Sequence, residues 1–140
     1  MFAEVAGSWT PGLTAATVGD LAVAFSTQAG AFHRQGRKVT VDFALVTSSF
    51  TYTTATGAII VTGLPFPVNV IGLTRNEGTF EFGGLTKAGF TQFTTRPVVN
   101  TTTCQFQAAG TALATVNLAI TDFPTAGSVV IRGSATYLFI

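Results

Sequence analysis

The sequence predicts an all-β fold, an antiparallel sandwich or barrel, and three observations carry that expectation. Apolar residues recur at every second position rather than at helical spacing. With 25 Thr and 13 Phe, the composition favours β-branched and aromatic side chains, which fit a pleated surface and lose rotamer freedom in a helix. Fifteen Gly and five Pro interrupt the chain at intervals of about ten residues, the spacing of short strands joined by turns.

In chain order, residues 17–24 are expected to hold one short turn, and no stretch of about 12 residues shows a capped amphipathic helical pattern. Phe32-His33-Arg34-Gln35-Gly36-Arg37-Lys38-Val39 reads as a hairpin turning at Gln35-Gly36-Arg37, where Gly36 supplies a positive φ. The clearest strand follows, with Val39, Val41, Phe43 and Leu45 on one face and Lys38, Thr40 and Asp42 on the other. Gly63-Leu64-Pro65-Phe66-Pro67 is expected to be a buried bend, since proline cannot donate to a ladder. Thr79-Phe80-Glu81-Phe82-Gly83-Gly84 before Phe90-Thr91-Gln92-Phe93 suggests a second hairpin, with Gly83-Gly84 as a turn. A further strand sets Val116, Leu118 and Ile120 against Thr115, Asn117, Ala119 and Thr121. The closing strand alternates Val129, Ile131, Gly133, Ala135, Tyr137 and Phe139 against Val130, Arg132, Ser134, Thr136, Leu138 and Ile140. Because it ends apolar on both faces, residues 137–140 are expected between two sheets or against a neighbouring chain. The domain reading is an N-terminal arm at residues 1–6 and one β-sandwich domain over 7–140.

The 140 residues suit a single domain that buries about two-thirds of its unfolded surface, so the fold requires no disulfide or metal staple. Seven Lys and Arg against six Asp and Glu leave a net charge of +1, with no basic run to neutralise phosphates, and nucleic acid is excluded as a partner. The lone Cys104 can form neither an internal bridge nor a thiolate metal site and reads as a small buried side chain. Apolar runs such as Ile59-Ile60-Val61 fall far short of the ~18–20 residues that span a bilayer as a helix, so no membrane partner is expected. The start, Met1-Phe2-Ala3-Glu4-Val5, lacks the features of a signal peptide, which leads to the expectation of a complete product made in a host cytoplasm.

Chemistry is sparse. The single imidazole, His33, is flanked by Arg34 and Arg37, whose charges would disfavour its protonation, so a structural or intersubunit role is expected. Glu77 and Glu81, four apart on a strand, would stand roughly 13 Å from one another, beyond a glycosidase pair. Arg75-Asn76-Glu77 reads as a polar turn. Nucleophile-elbow, phosphate-loop and zinc-protease motifs do not occur, so no catalytic residue, metal ligand or cofactor is assigned and no enzyme is expected. Trp9 reads as a core anchor closing one end of a sandwich, with a sugar-stacking platform as the alternative.

Taken together, the motifs Gly7-Ser8-Trp9-Thr10-Pro11, Leu13, the run at residues 23–32, Arg34-Gln35-Gly36-Arg37-Lys38-Val39 and Gly63-Leu64-Pro65-Phe66-Pro67 have a distinctive order. Over residues 7–67 this pattern resembles the β-structured module at the distal ends of bacteriophage tail fibres and on other phage virion surfaces. The resemblance implies a trimeric, jelly-roll-like antiparallel sandwich displayed on a virus particle.

Two functional expectations follow. Lacking a fibre shaft, the chain is expected to act as a trimeric capsid decoration or cement protein on the capsid exterior, with the major capsid protein and its own copies as partners. Phe2, Glu4 and Val5 would contact the shell, and His33, Tyr137, Phe139 and Ile140 would lie in the trimer interface. The alternative is a receptor-binding head of a tail fibre or tailspike, in which Trp9, Tyr52, Phe90 or Phe93 would stack on host surface glycans. Composition independently favours assembly, because only 9% of residues are charged where a solitary soluble domain carries about 25–35% on its surface.

Overall fold

The computed structural model describes residues 4–70 and 78–139. In chain order the strands are β1 (Glu4–Trp9), β2 (Gly12–Thr17), β3 (Ala22–Gln35), β4 (Lys38–Thr51), β5 (Thr56–Thr62), β6 (Phe80–Gly83), β7 (Gln92–Pro97), β8 (Cys104–Ala109), β9 (Val116–Asn117) and β10 (Val130–Leu138), with a 3-10 turn at Ile120–Asp122. They form two antiparallel sheets, one ordered β1-β3-β4-β10-β6 and the other β2-β5-β8-β7, with β9 added beside β8. The expected all-β sandwich is therefore the observed architecture.

The sandwich is organised by the β3–β4 hairpin, which runs in continuous register from Ala22 opposite Thr51 to Gln35 opposite Lys38, with shifts around Phe25. Its loop is the pair Gly36-Arg37, and Gly36 has φ 59°, as the turn requires. The two-residue period then sends Val39, Val41, Phe43 and Leu45 inward, none more than 4% exposed, and keeps Lys38 and Asp42 outside. β10 pairs along β4 and adds Ile131, Ala135 and Tyr137 to the same layer. The facing sheet contributes Ile59 and Val61 from β5 and Phe106 from β8, all fully buried. The Phe106 ring lies 6.3 Å from that of Phe43 and 4.4 Å from that of Phe80, so one aromatic side chain bridges the layers.

Trp9 ends β1 and closes one side of this core. It is 8% exposed, meets Phe43 edge-on at 6.2 Å and donates its indole N–H to the Ala31 carbonyl at 3.0 Å. Gly30 leaves the space: a Cβ there would fall 2.6 Å from the indole nitrogen. Leu64 is buried in the expected bend, and the Tyr137 hydroxyl donates to the Phe66 carbonyl at 2.8 Å. Burial pushes the Tyr137 phenol up to about 12.

Three expectations change. Phe80–Gly83 and Gln92–Pro97 do not form a hairpin, because β6 pairs with β10 and β7 with β8, so the chain crosses between the sheets and leaves only a Thr79–Thr94 bridge. Their aromatic side chains meet across the gap instead, Phe82 and Phe93 at 4.8 Å. The strand expected over residues 115–121 stops after Asn117 and turns 3-10; Leu118 and Ile120 are fully buried as the alternation required, whereas Val116, expected on the same face, is exposed on the short β9. Residues 4–6 of the expected arm lie in β1, with Glu4 opposite Gln35.

A polar clasp joins the turns at the far end. The Asp20 carboxylate accepts the backbone N–H of Thr53 at 2.8 Å and of Thr54 at 2.7 Å, and the hydroxyls of both threonines. Those donors stabilise the charged form and hold the carboxyl well below the usual carboxylate range. The clasp therefore contributes fully above about pH 5 and is lost as pH falls through the acid range, where the unfolded chain binds the proton first. Asp20→Asn is expected to flatten the decline in the urea midpoint between about pH 5 and 2 relative to the parent protein. Phe106→Ala is expected to lower unfolding free energy by about 3–5 kcal/mol, and Thr40→Ala, on the outer face, by no more than about 0.5, both read from urea titrations.

Candidate functional site

Cations are few, and the fold gathers half of those described at one place. Six of the seven Lys and Arg residues lie among the described residues, and Arg34, Arg37 and Lys38 flank the tip of the β3–β4 hairpin. The strand alternation places Arg34 on the inner side, opposite Val39, where a core residue would otherwise stand. Its guanidinium carbon lies 5.0 Å from the Phe66 ring and 4.9 Å from the Phe139 ring, and Nε donates to the Gly36 carbonyl at 2.8 Å. Phe66 and Phe139 are themselves 5.1 Å apart, and Phe32 meets Phe66 edge-on at 5.4 Å. Arg34 thus covers an aromatic cluster at the open end of the sandwich and fixes the hairpin loop from beneath.

Arg37 is held from two directions. Its carbonyl accepts the Phe139 N–H at 2.7 Å, and its Nε donates to the Phe139 carbonyl at 3.2 Å. Gln35, Gly36, Arg37, Lys38 and Leu138 line an open groove of about 440 Å³ at this tip. Among the described residues, no carboxylate lies within salt-bridge distance of Arg34, Arg37 or Lys38. By contrast, Lys87 pairs with Asp122 at 2.9 Å and Arg132 with Glu81 at 3.0 Å. The outer face of the same sheet carries a second, shallower depression of about 290 Å³ over Ala29, Gly30, Ala31, Asp42, Phe43 and Ala44.

The residues singled out from the sequence fall in different places. His33 is exposed on the outer face, its Nε2 2.5 Å from Glu4 Oε1, so it meets a carboxylate rather than the two arginines, which the strand and the turn carry elsewhere. Glu4 and Val5 are exposed; Phe2 and Ile140 lie outside the described residues, as do Arg75, Asn76 and Glu77. Phe139 is partly exposed in the Arg34 cluster. Tyr137 is fully buried within its own sandwich, which corrects its assignment to a trimer interface. Trp9 and Tyr52 are likewise enclosed, which removes both as glycan platforms: Trp9 fills the core, and the Tyr52 hydroxyl is shared between the Ile120 and Phe123 carbonyls at 2.8 and 2.7 Å. Phe90 is partly exposed beneath Lys87 Nζ at 5.3 Å, and Phe93 packs against Phe80 and Phe82. Sequence reasoning passed over the hairpin tip because it read Arg34-Gln35-Gly36-Arg37-Lys38 as turn chemistry. The available signal was that three cations without acidic neighbours fall within five residues.

No group of three metal-ligating side chains occurs among the described residues. Cys104 is buried, and desolvation pushes its thiol up to about 12.

No protein-family model matches this chain, and no curated protein matches it. Among solved structures it is similar to the Dettilon tailspike protein gp208, with a TM-score of 0.65 and 15% identity over 94% of this chain. The match covers 23% of that tailspike, so the chain spans about a quarter of its length. The likeness is one of fold.

Arg34→Gln is expected to lower unfolding free energy by about 1–2 kcal/mol through loss of the ring contacts and the Gly36 bond, measured by urea titration. Cys104 is expected to stay unreactive toward a disulfide reagent at pH 8 until denaturant unfolds the chain, since its thiolate is scarce and enclosed.

Proposed function

We propose that the chain is a bacteriophage virion surface module, placed at the tail as a tailspike-like or fibre-like β-sandwich. The observation that carries this reading is the tailspike superposition, which takes in nearly the whole sandwich. The ordered motifs at residues 7–67 support it independently, since they too resemble tail-fibre modules. The tail reading fits this neighbour at least as well as a capsid cement role, for which the fold offers no separate support.

The role we infer is binding and structural. Four of the five described side-chain carboxylates are engaged one at a time, Glu4 with His33, Glu81 with Arg132, Asp122 with Lys87 and Asp20 with two threonines, and the fifth, Asp42, lies exposed on the outer face of β4. We propose a homotrimer assembled through the outer face of the β1-β3-β4 sheet, where Ala29, Ala31 and Ala44 present short apolar side chains. Chain composition favours a second copy as the occupant, because 13 charged residues in 140 leave little ionic surface to keep a monomer apart.

A reconstruction of the particle is expected to place this chain at the tail; density on the capsid lattice would instead establish the cement role. Sedimentation at micromolar concentration is expected to show trimers, and Ala31→Arg, at an exposed site, is expected to dissociate them while leaving the circular dichroism unchanged. A parent protein that sediments as a monomer would end the trimer proposal.

A further inference from the structure

The hairpin tip carries three features that the structural role leaves unused. Arg37 and Lys38 stand side by side without an acidic partner among the described residues, in a chain whose Lys87 and Arg132 are each paired. Arg37 is pre-set: its Nε is committed to the Phe139 carbonyl, which orients the guanidinium and leaves its two terminal amino groups without a protein acceptor among the described residues. The groove beside them, about 440 Å³, has the polar Gln35 at one edge and the Leu138 side chain among its walls. Its volume falls within the usual range for small-ligand sites, roughly 300–1,000 Å³.

We propose that this groove binds the carboxylate of an acidic saccharide. The carboxylate would accept two hydrogen bonds from the terminal amino groups of Arg37, a planar fork matched to a planar anion, with Lys38 adding a third charge-assisted contact. Gln35 offers an amide donor and acceptor for neighbouring hydroxyls, and Leu138 an apolar surface for the C–H face of the ring. Arg34 acts as a positioning residue, holding the Gly36 carbonyl and the loop backbone against the Phe66 and Phe139 rings. Glu4 lies opposite Gln35 and is drawn to His33, so it does not pair with the fork. Nucleic acid is disfavoured as occupant by the net charge of +1, since a phosphate backbone requires a longer cationic track. The inference deepens the glycan-binding alternative and moves it from Trp9 and Tyr52, which are buried, to the hairpin.

The test is calorimetric titration of the whole chain with oligogalacturonate and with oligosialic acid, using a neutral maltooligosaccharide and oligoglutamate as comparisons. Binding of at least one carboxylated saccharide is expected. It should weaken as salt rises from 50 to 500 mM, and it should fall about tenfold or more in Arg37→Gln and in Lys38→Gln. Arg34→Gln should reduce it, and Arg132→Gln, whose ion pair with Glu81 lies farther along β10 from the tip, should leave it unchanged. Unfolding midpoints of the two tip variants within a few degrees of the parent's would show that the fold persists; Lys38→Gln, whose ammonium forms no ion pair among the described residues, is the safeguard if Arg37→Gln loosens β10. Absence of binding to both acidic saccharides, binding by the Arg37→Gln and Lys38→Gln variants equal to the parent's, or equal affinity for oligoglutamate or the neutral sugar would overturn the proposal. The tail placement is read separately from the particle reconstruction and stands or falls on that.

Discussion

The structure depends on one constraint: a single strand, β4, must turn every second side chain into a layer that two sheets share. Val39, Val41, Phe43 and Leu45 form the floor on which β10 adds Ile131 and Tyr137 and against which Phe106, Ile59 and Val61 close. A one-residue slip of β4 would expose all four and bury Lys38 and Asp42, so the register is strongly determined. The two-residue Gly36-Arg37 loop fixes that register at its start, and the shifts around Phe25 absorb the mismatch farther along β3. Trp9 seals the side of the layer only because Gly30 leaves room for the indole.

Much of this was written in the local pattern. The alternation of residues 38–45 and 129–139 and the Gly36 turn all specify strand, face and turn through nearest-neighbour chemistry, and each lies where that chemistry puts it. Strand partners were not legible in the same way. Phe80–Gly83 and Gln92–Pro97 look like two arms of a hairpin, since both are short, aromatic and separated by glycines. Which sheet each joins is decided by β10 and β8, strands that lie far along the chain. The 3-10 turn after Asn117 had a similar origin: burial of Leu118 and Ile120 was visible, whereas the Tyr52 hydroxyl that binds the Ile120 and Phe123 carbonyls comes from a residue 68 positions away.

The functional residues divide along the same line. Large aromatic side chains attract attention in a sequence because they serve equally as core and as contact surface, and here Trp9, Tyr52 and Tyr137 are core. The groups left to the surface are ordinary in type and distinctive only in their arrangement. Arg34 occupies an inward strand position at the open end of the sandwich, where its stem and planar head cover Phe66 and Phe139 while its neighbours Arg37 and Lys38 face out. A chain with so few ions sets three cations within five residues, and the hairpin sorts them, Arg34 inward over the rings and Arg37 and Lys38 outward.

The Asp20 clasp bears on how the molecule breathes. It ties the β2–β3 connection to the β4–β5 connection through bonds spanning more than 30 residues of sequence, on loops that otherwise lie at the solvent-exposed end. Two connections that would fray separately are thereby linked through one carboxylate, so loosening either turn removes the acceptor or the donors on which the other depends.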